Sequence, residues 1–166
     1  MSWWQILLTV VGAVVFMEFF AWWAHKYIMH GWGWGWHRDH HEPHDNKLEK
    51  NDLYAVTFGT IVFFMFAIGY VYSPFLWWLA FGITLYGVIY TFVHDGLVHQ
   101  RYFKWVPKRG YAKRLVQAHK LHHATVGKEG GVSFGFVLAR DPAKLKAELK
   151  RQREDGKAVL RDSARV

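Results

Sequence analysis

Three long apolar runs divide the chain. Trp3 to Ala24 contains one charged residue, Glu18, whereas Leu53 to Tyr72 and Phe75 to Val93 contain none. A helix of ~20 residues spans the ~30 Å hydrocarbon layer of a bilayer, and each run has about that length. Trp3-Trp4 and Trp22-Trp23 bracket the first run like interfacial aromatic belts, roughly 27 Å apart along a helix. No basic stretch precedes this run and no small-residue cleavage site follows it, so it is expected to be an anchor rather than a signal peptide. Ser73-Pro74 breaks the second run from the third, which predicts a helical hairpin with almost no loop.

The polar segments are basic. The chain carries 21 Lys and Arg against 13 Asp and Glu, and all the basic residues fall within 25–50 and 100–166. Nucleic-acid binders interleave basic residues with their fold. Here the basic segments alternate with neutral apolar runs, which is the signature of membrane topology and excludes a nucleic-acid partner. The positive-inside rule places both basic segments in the cytoplasm, giving an outside N-terminus, three crossings and an inside C-terminus in the inner membrane. Gly131 to Ala139 is too short for a fourth helical crossing, so an interfacial or re-entrant segment is expected there. The expected fold is an all-α integral membrane protein with about three transmembrane helices and a cytoplasmic, histidine-rich di-metal cap. Residues 1–140 form the membrane-embedded domain in this reading. Residues 141–166 form a charged cytoplasmic tail, a solvated helix followed by a disordered end.

The chemistry is written in histidine. Of 11 histidines, all but His44 spell one pattern twice. The first copy is His25-x4-His30 followed by His37-x2-His40-His41. The second is His94-x4-His99 followed by His119-x2-His122-His123. Neutral imidazole is the commonest metal-ligating side chain. On a helix, positions i, i+3 and i+4 share a face, so each x2 trio is expected to project together. The x4 pairs lie ~140° apart on an ideal helix, and both members ligate only if the helix frays or bulges. Gly31 and Gly96 make that relaxation plausible. The metal-ligand set is therefore His25, His30, His37, His40, His41, His94, His99, His119, His122 and His123, about five for each of two metals. Imidazole suits iron, zinc, copper and nickel, while Mg and Ca want oxygen ligands. A catalytic zinc site commonly needs only three protein ligands, which weakens a zinc-hydrolase reading.

Four acids and His44 need separate treatment. Glu18 lies seven residues before His25 on one helix face, and a carboxylate within a span is a functional candidate. It either orients a ligand imidazole or pairs with a polar neighbour. Asp95, Asp39 and Asp45 are further candidates to accept from ligand imidazoles. His44 is expected in a surface loop. The chain has no cysteine, which excludes disulfides, thiolate metal sites and a Cys nucleophile.

Around these histidines the chain resembles the bacterial β-carotene hydroxylases, a branch of the membrane fatty-acid-hydroxylase and sterol-desaturase superfamily. The resemblance runs over roughly residues 10–138. It covers Glu18 to Gly31 (EFFAWWAHKYIMHG), Trp36 to His41, Asn51 to Val56, His94 to His99, His119 to His123, and Gly130 to Phe136. His44 stands where the resemblance leads one to expect Arg, and the Gly-Trp alternation from Gly31 to Trp36 is unusual. Interfacial anchoring is the modest account of Trp32, Trp34 and Trp36. The resemblance implies a non-haem di-iron monooxygenase that hydroxylates β-ionone rings at C3, from β-carotene to β-cryptoxanthin to zeaxanthin. It further implies O2 as oxidant, two iron ions replaceable by zinc in a purified sample, and two electrons per turnover. The electrons would come from a ferredoxin-type donor with an NAD(P)H-dependent reductase.

A hydrocarbon substrate would arrive through the bilayer. Phe16, Phe19, Phe20, Tyr86, Tyr90 and Phe92 are candidates to line its access groove, although packing or lipid contact explains each singly. Lys104, Lys108, Arg109, Lys113 and Arg114 form a basic patch, suited either to docking an acidic donor or simply to retention on the cytoplasmic side. Two alternatives stay open at this point. One is hydroxylation or desaturation of another membrane lipid, and the other is a non-enzymatic metal-binding or metal-transport protein.

Overall fold

The computed structural model describes residues 1–42, 46, 48–102 and 104–160. His44, Asp45 and the end of the expected tail lie outside the described residues. Helix α1, Trp3–Ala24, continues without a break into a π-helical segment, His25–Trp32, and α2, Trp34–His41, follows. Helix α3, Asp52–Tyr72, and helix α4, Pro74–Tyr90, form the expected hairpin, and α4 widens into a second π-helical segment, Thr91–Val98. Helices α5, Gly110–His122, and α6, Pro142–Glu154, complete the helical set among the described residues. Two short strands, β1 Thr125–Val126 and β2 Val159–Leu160, pair antiparallel with Thr125 opposite Leu160.

Three helical stretches are long and apolar enough to cross a membrane: Trp3–Trp32, Asp52–Tyr72 and Pro74–Val98. Their outward side chains are large and apolar. Leu8, Phe16 and Phe19 on α1, Val56 and Phe63 on α3, and Val88 on α4 are all exposed. Exposed apolar surface on this scale needs lipid to cover it. The chain is thus an all-α membrane protein with three spans among its described residues.

Small residues set how closely the spans approach. At Gly82 of α4, an added Cβ would lie 2.6 Å from the Ala13 Cβ and 2.9 Å from the Val10 carbonyl of α1. At Gly69 of α3 it would lie 2.5 Å from the Trp77 backbone nitrogen of α4. Small residues at helix crossings let backbones approach where lipid supplies no hydrophobic drive. The hairpin turn is equally local in origin. The Ser73 hydroxyl accepts from Leu76 N at 3.3 Å and Pro74 opens α4, a pairing suited to a helix start.

Beyond the spans a small core forms from Leu115, Ala118, Val132, Ala139, Leu145 and Leu149. Leu145 is fully buried. Helix α6, expected to be solvated, therefore docks one face on α5 while its charged residues face outward. Asp141 starts it, accepting from Ala143 N at 2.8 Å and Lys144 N at 3.2 Å. The segment 127–140 is neither a helical crossing nor a strand. It folds as an irregular loop over the ends of the spans.

Candidate metal centre

Each copy of the histidine pattern has the same architecture: a spanning helix, a π-helical segment for the x4 pair, then a short helix for the x2 trio, with His99 and His123 as the residues that cap the second segment and α5. A π-helix bonds residue i to i+5. His99 N donates to the His94 carbonyl at 2.9 Å, and Gly33 N donates to the Ile28 carbonyl at 2.9 Å. That widening brings to one side two rings that an α-helix would splay apart. Ring centroids are 5.2 Å apart for His25 and His30 and 4.5 Å for His94 and His99. Gly31 kinks the first segment near its end, with φ −110° and ψ −122°, outside helical values.

The rings gather into two clusters. One holds His25, His30, His37, His41 and His122, and the other His40, His94, His99 and His119. Within each, one ring nitrogen per residue lies within 4.8 Å of all the others. His123 adjoins the second cluster, its Nε2 at 2.8 Å from His119 Nε2. The x2 trios do not project as units. His37 and His41 stay with the first cluster while His40 crosses to the second, and His122 crosses the other way.

In six of the rings the back fixes the front. His25 Nδ1 donates to the Phe134 carbonyl at 3.0 Å, His30 Nδ1 to the Lys128 carbonyl at 2.9 Å, and His122 Nδ1 to the Val132 carbonyl at 3.0 Å. His37 Nδ1 donates to Asn51 Oδ1 at 2.7 Å, His40 Nδ1 to Glu49 Oε2 at 2.6 Å, and His94 Nδ1 to Asp95 Oδ1 at 2.7 Å. A neutral imidazole with its proton on Nδ1 presents a lone pair at Nε2. The Nε2 atoms of His25 and His37 lie 3.1 Å apart, those of His30 and His122 3.1 Å, and those of His40 and His94 3.2 Å. In each pair two lone pairs face each other. Such an arrangement repels unless a cation lies among them, so the donor set fits metal ions and not a hydrogen-bonded polar core.

Electrostatics reinforce the neutral state. Outside the spans, burial first and neighbouring imidazoles second hold His37, His41, His119, His122 and His123 well below the ordinary histidine range. The same causes, with the Arg101 charge added, bring His99 down to about 2. Metal ligation requires this unprotonated form.

Glu18 takes the second of its two expected roles: its described partners are polar neighbours and not an imidazole. Its carboxylate accepts from Tyr86 Oη at 2.8 Å and from the backbone amides of Phe136, Val137 and Leu138 at 3.1, 3.0 and 2.8 Å. The loop it holds supplies the carbonyls behind His25, His30 and His122. Sequence reasoning missed this role for the loop, and Asn51 and Glu49 as well. The only signal was that Asn51 fell within a recognised segment. Asp39 Oδ2 accepts from Lys50 N at 2.6 Å.

The aromatic candidates separate by position. Phe16, Phe19 and Phe92 are exposed, Phe20 and Tyr90 half-buried, and Tyr86 buried. Tyr90 stacks on His94 with centroids 4.8 Å apart. Phe134 and Phe136 close over His25, and Phe136 stacks on it at 4.9 Å. Trp34 packs against His30 and His41 at 5.2 and 5.3 Å, so it belongs to the wall of the first cluster. Trp32 and Trp36 are exposed. Lys104, Lys108, Arg109 and Lys113 are exposed, and Arg114 donates to the Arg140 carbonyl at 3.2 Å.

This combination, apolar spans ending in two imidazole clusters, is that of a membrane metalloenzyme. The fatty acid hydroxylase family matches residues 10–140. The chain belongs to that family. A β-carotene hydroxylase of Paracoccus sp. (strain N81106 / MBIC 01143) is 54% identical over 86% of this chain and 90% of its own length. One of Pantoea ananas is 48% identical over 96% of this chain and 91% of its own. A chloroplastic β-carotene 3-hydroxylase of Haematococcus lacustris is 44% identical over 80% of this chain but 42% of its own. No solved structure matches.

Proposed function

We propose that this chain is a di-iron monooxygenase that hydroxylates the β-ionone rings of carotenoids at C3, from β-carotene through β-cryptoxanthin to zeaxanthin. The carrying observation is the pair of imidazole clusters whose Nε2 lone pairs converge where the spans end. The relatives' names supply the substrate class. His25, His30, His37, His41 and His122 would hold one metal. His40, His94, His99 and His119, with His123 adjoining, would hold the other. A bound pair of iron ions supplies the O2-derived oxidant that a C–H bond requires and no side chain provides.

The protein's own share is orientation and exclusion of water. Carbonyls, Asn51, Glu49 and Asp95 lock ring tautomers. Phe134, Phe136, Tyr90 and Trp34 wall the rings off from solvent. The spans let a long hydrocarbon reach the clusters from within the bilayer, past Phe16, Phe19 and Phe92. Each turnover consumes one C–H bond, O2, two electrons and two protons, and yields C–OH and water. A ferredoxin-type donor with an NAD(P)H-dependent reductase supplies the electrons, docking at the exposed Lys104–Arg109 segment. The basic segments orient the clusters to the cytoplasmic face of the inner membrane, with the N-terminus outside.

Expression in cells that accumulate β-carotene tests the reading. Zeaxanthin should appear with β-cryptoxanthin as the transient species. Unchanged carotenoid alongside a new hydroxylated or desaturated fatty acid or sterol would move the substrate to another lipid.

A further inference from the structure

The two clusters differ in what stands behind them. In the first, four of five rings lean on neutral oxygens: the carbonyls of Phe134, Lys128 and Val132, and the Asn51 amide. In the second, His40 and His94 lean on carboxylates, Glu49 at 2.6 Å and Asp95 at 2.7 Å. A carboxylate accepting from Nδ1–H pushes electron density into the ring and makes Nε2 a stronger donor.

These two acids are held as a unit. Arg101 donates to both oxygens of Asp52, at 2.9 and 3.0 Å, and lies 3.8 Å from Asp95. Asp52 accepts from Glu49 N at 3.0 Å. Among the described residues Asp52 is the carboxylate hydrogen-bonded to the guanidinium, while Asp95 lies farther from it and turns its Oδ1 to His94 Nδ1, as Glu49 turns its Oε2 to His40 Nδ1. The asymmetry lies between two clusters built from the same kind of ligand, and each copy of the histidine pattern contributes one carboxylate-backed ring, so it is not a consequence of the ligand type.

We infer that Glu49 and Asp95 are positioning residues that make the His40–His94 position the tighter of the two metal sites, while the position of His25, His30, His37 and His122 exchanges its metal more readily. The inference rests on the two-metal reading above.

The test is metal release from the full-length protein in detergent, loaded with Co2+ and challenged with excess chelator, with metal counted per chain. Release should be biphasic. Asp95→Asn and Glu49→Gln, which keep size and most hydrogen bonds, should weaken the slow phase ten- to hundredfold and spare the fast one. Asn51→Asp, which places a carboxylate behind His37, should slow the fast phase alone. If Asp95→Asn misfolds, Asn51→Asp still decides, because it adds charge to the other cluster. Monophasic release of two metals, or Asp95→Asn acting on the fast phase, overturns the inference. A single bound metal per chain would instead overturn the two-metal reading, and neither outcome depends on which lipid is the substrate.

Discussion

His40 and His122 occupy equivalent places in the two copies of the histidine pattern, and each sits in the other copy's cluster. His40 Nε2 lies 3.2 Å from His94 Nε2, and His122 Nε2 lies 3.1 Å from His30 Nε2. The exchange ties the two arms together, because neither cluster is complete without a ring from the opposite arm. His122→Ala should therefore remove metal from the cluster built mainly on the first arm, and abolish hydroxylation with it. Metal content and zeaxanthin yield measured on the same sample check this, and full activity would contradict the assignment.

Glu18 should matter through the loop it holds. Glu18→Ala leaves Tyr86 and three backbone amides without their buried acceptor, at about 1–3 kcal/mol for each group left unsatisfied. The melting temperature in detergent should drop sharply and metal retention should fall. Glu18→Gln keeps one accepting oxygen and should lose less. An alanine variant as stable as the parent would show that the loop docks without this carboxylate.

Acid should destabilise the metal-free protein. Burial and neighbouring rings depress His119, His122 and His123 in the folded chain, whereas the unfolded chain titrates near the ordinary 6.5. The unfolded state thus takes up protons first as pH falls. This contribution to stability is complete above ~6.5 and is lost progressively below it. Thermal unfolding of chelated protein across pH 5 to 8 measures the slope. A flat or opposite trend would mean that the rings are not buried neutral.

Gly82 and Gly87 make a matched pair on α4. An alanine at Gly82 meets Ala13 and Val10, while one at Gly87 meets nothing within 4 Å. Gly82→Ala should cost about 1–3 kcal/mol by forcing α1 and α4 apart. Gly87→Ala should be neutral or stabilise by up to about 1 kcal/mol through helix propensity. Unfolding in detergent with equal losses for both would remove the close crossing as an explanation.

The spans and the histidines were legible because both are local patterns: uncharged runs of membrane length, and a spacing repeated twice. The x4 pairs were half legible. Their angular misfit on an α-helix pointed to a bulge, and π-helical segments provide it. The crossing of His40 and His122 was not legible, since it depends on how two arms pack and not on spacing within either. Glu18 meeting Phe136 to Leu138 spans more than a hundred residues and leaves no sequence trace. Leu145 and Leu149 of α6 did leave one, an i, i+4 pair among charges, but the surrounding lysines and arginines masked it.

The clasp between Glu18 and the 136–138 amides also orders events during synthesis. A ribosome delivers Glu18 to the bilayer long before Phe136 is polymerised, so the first span enters the membrane with its carboxylate lacking the acceptor-hungry amides that later surround it. His25 likewise waits for Phe134, and His30 for Lys128. Completion of the centre therefore waits for the last quarter of the chain, and a translational pause before that point would leave an inserted protein with an open first cluster.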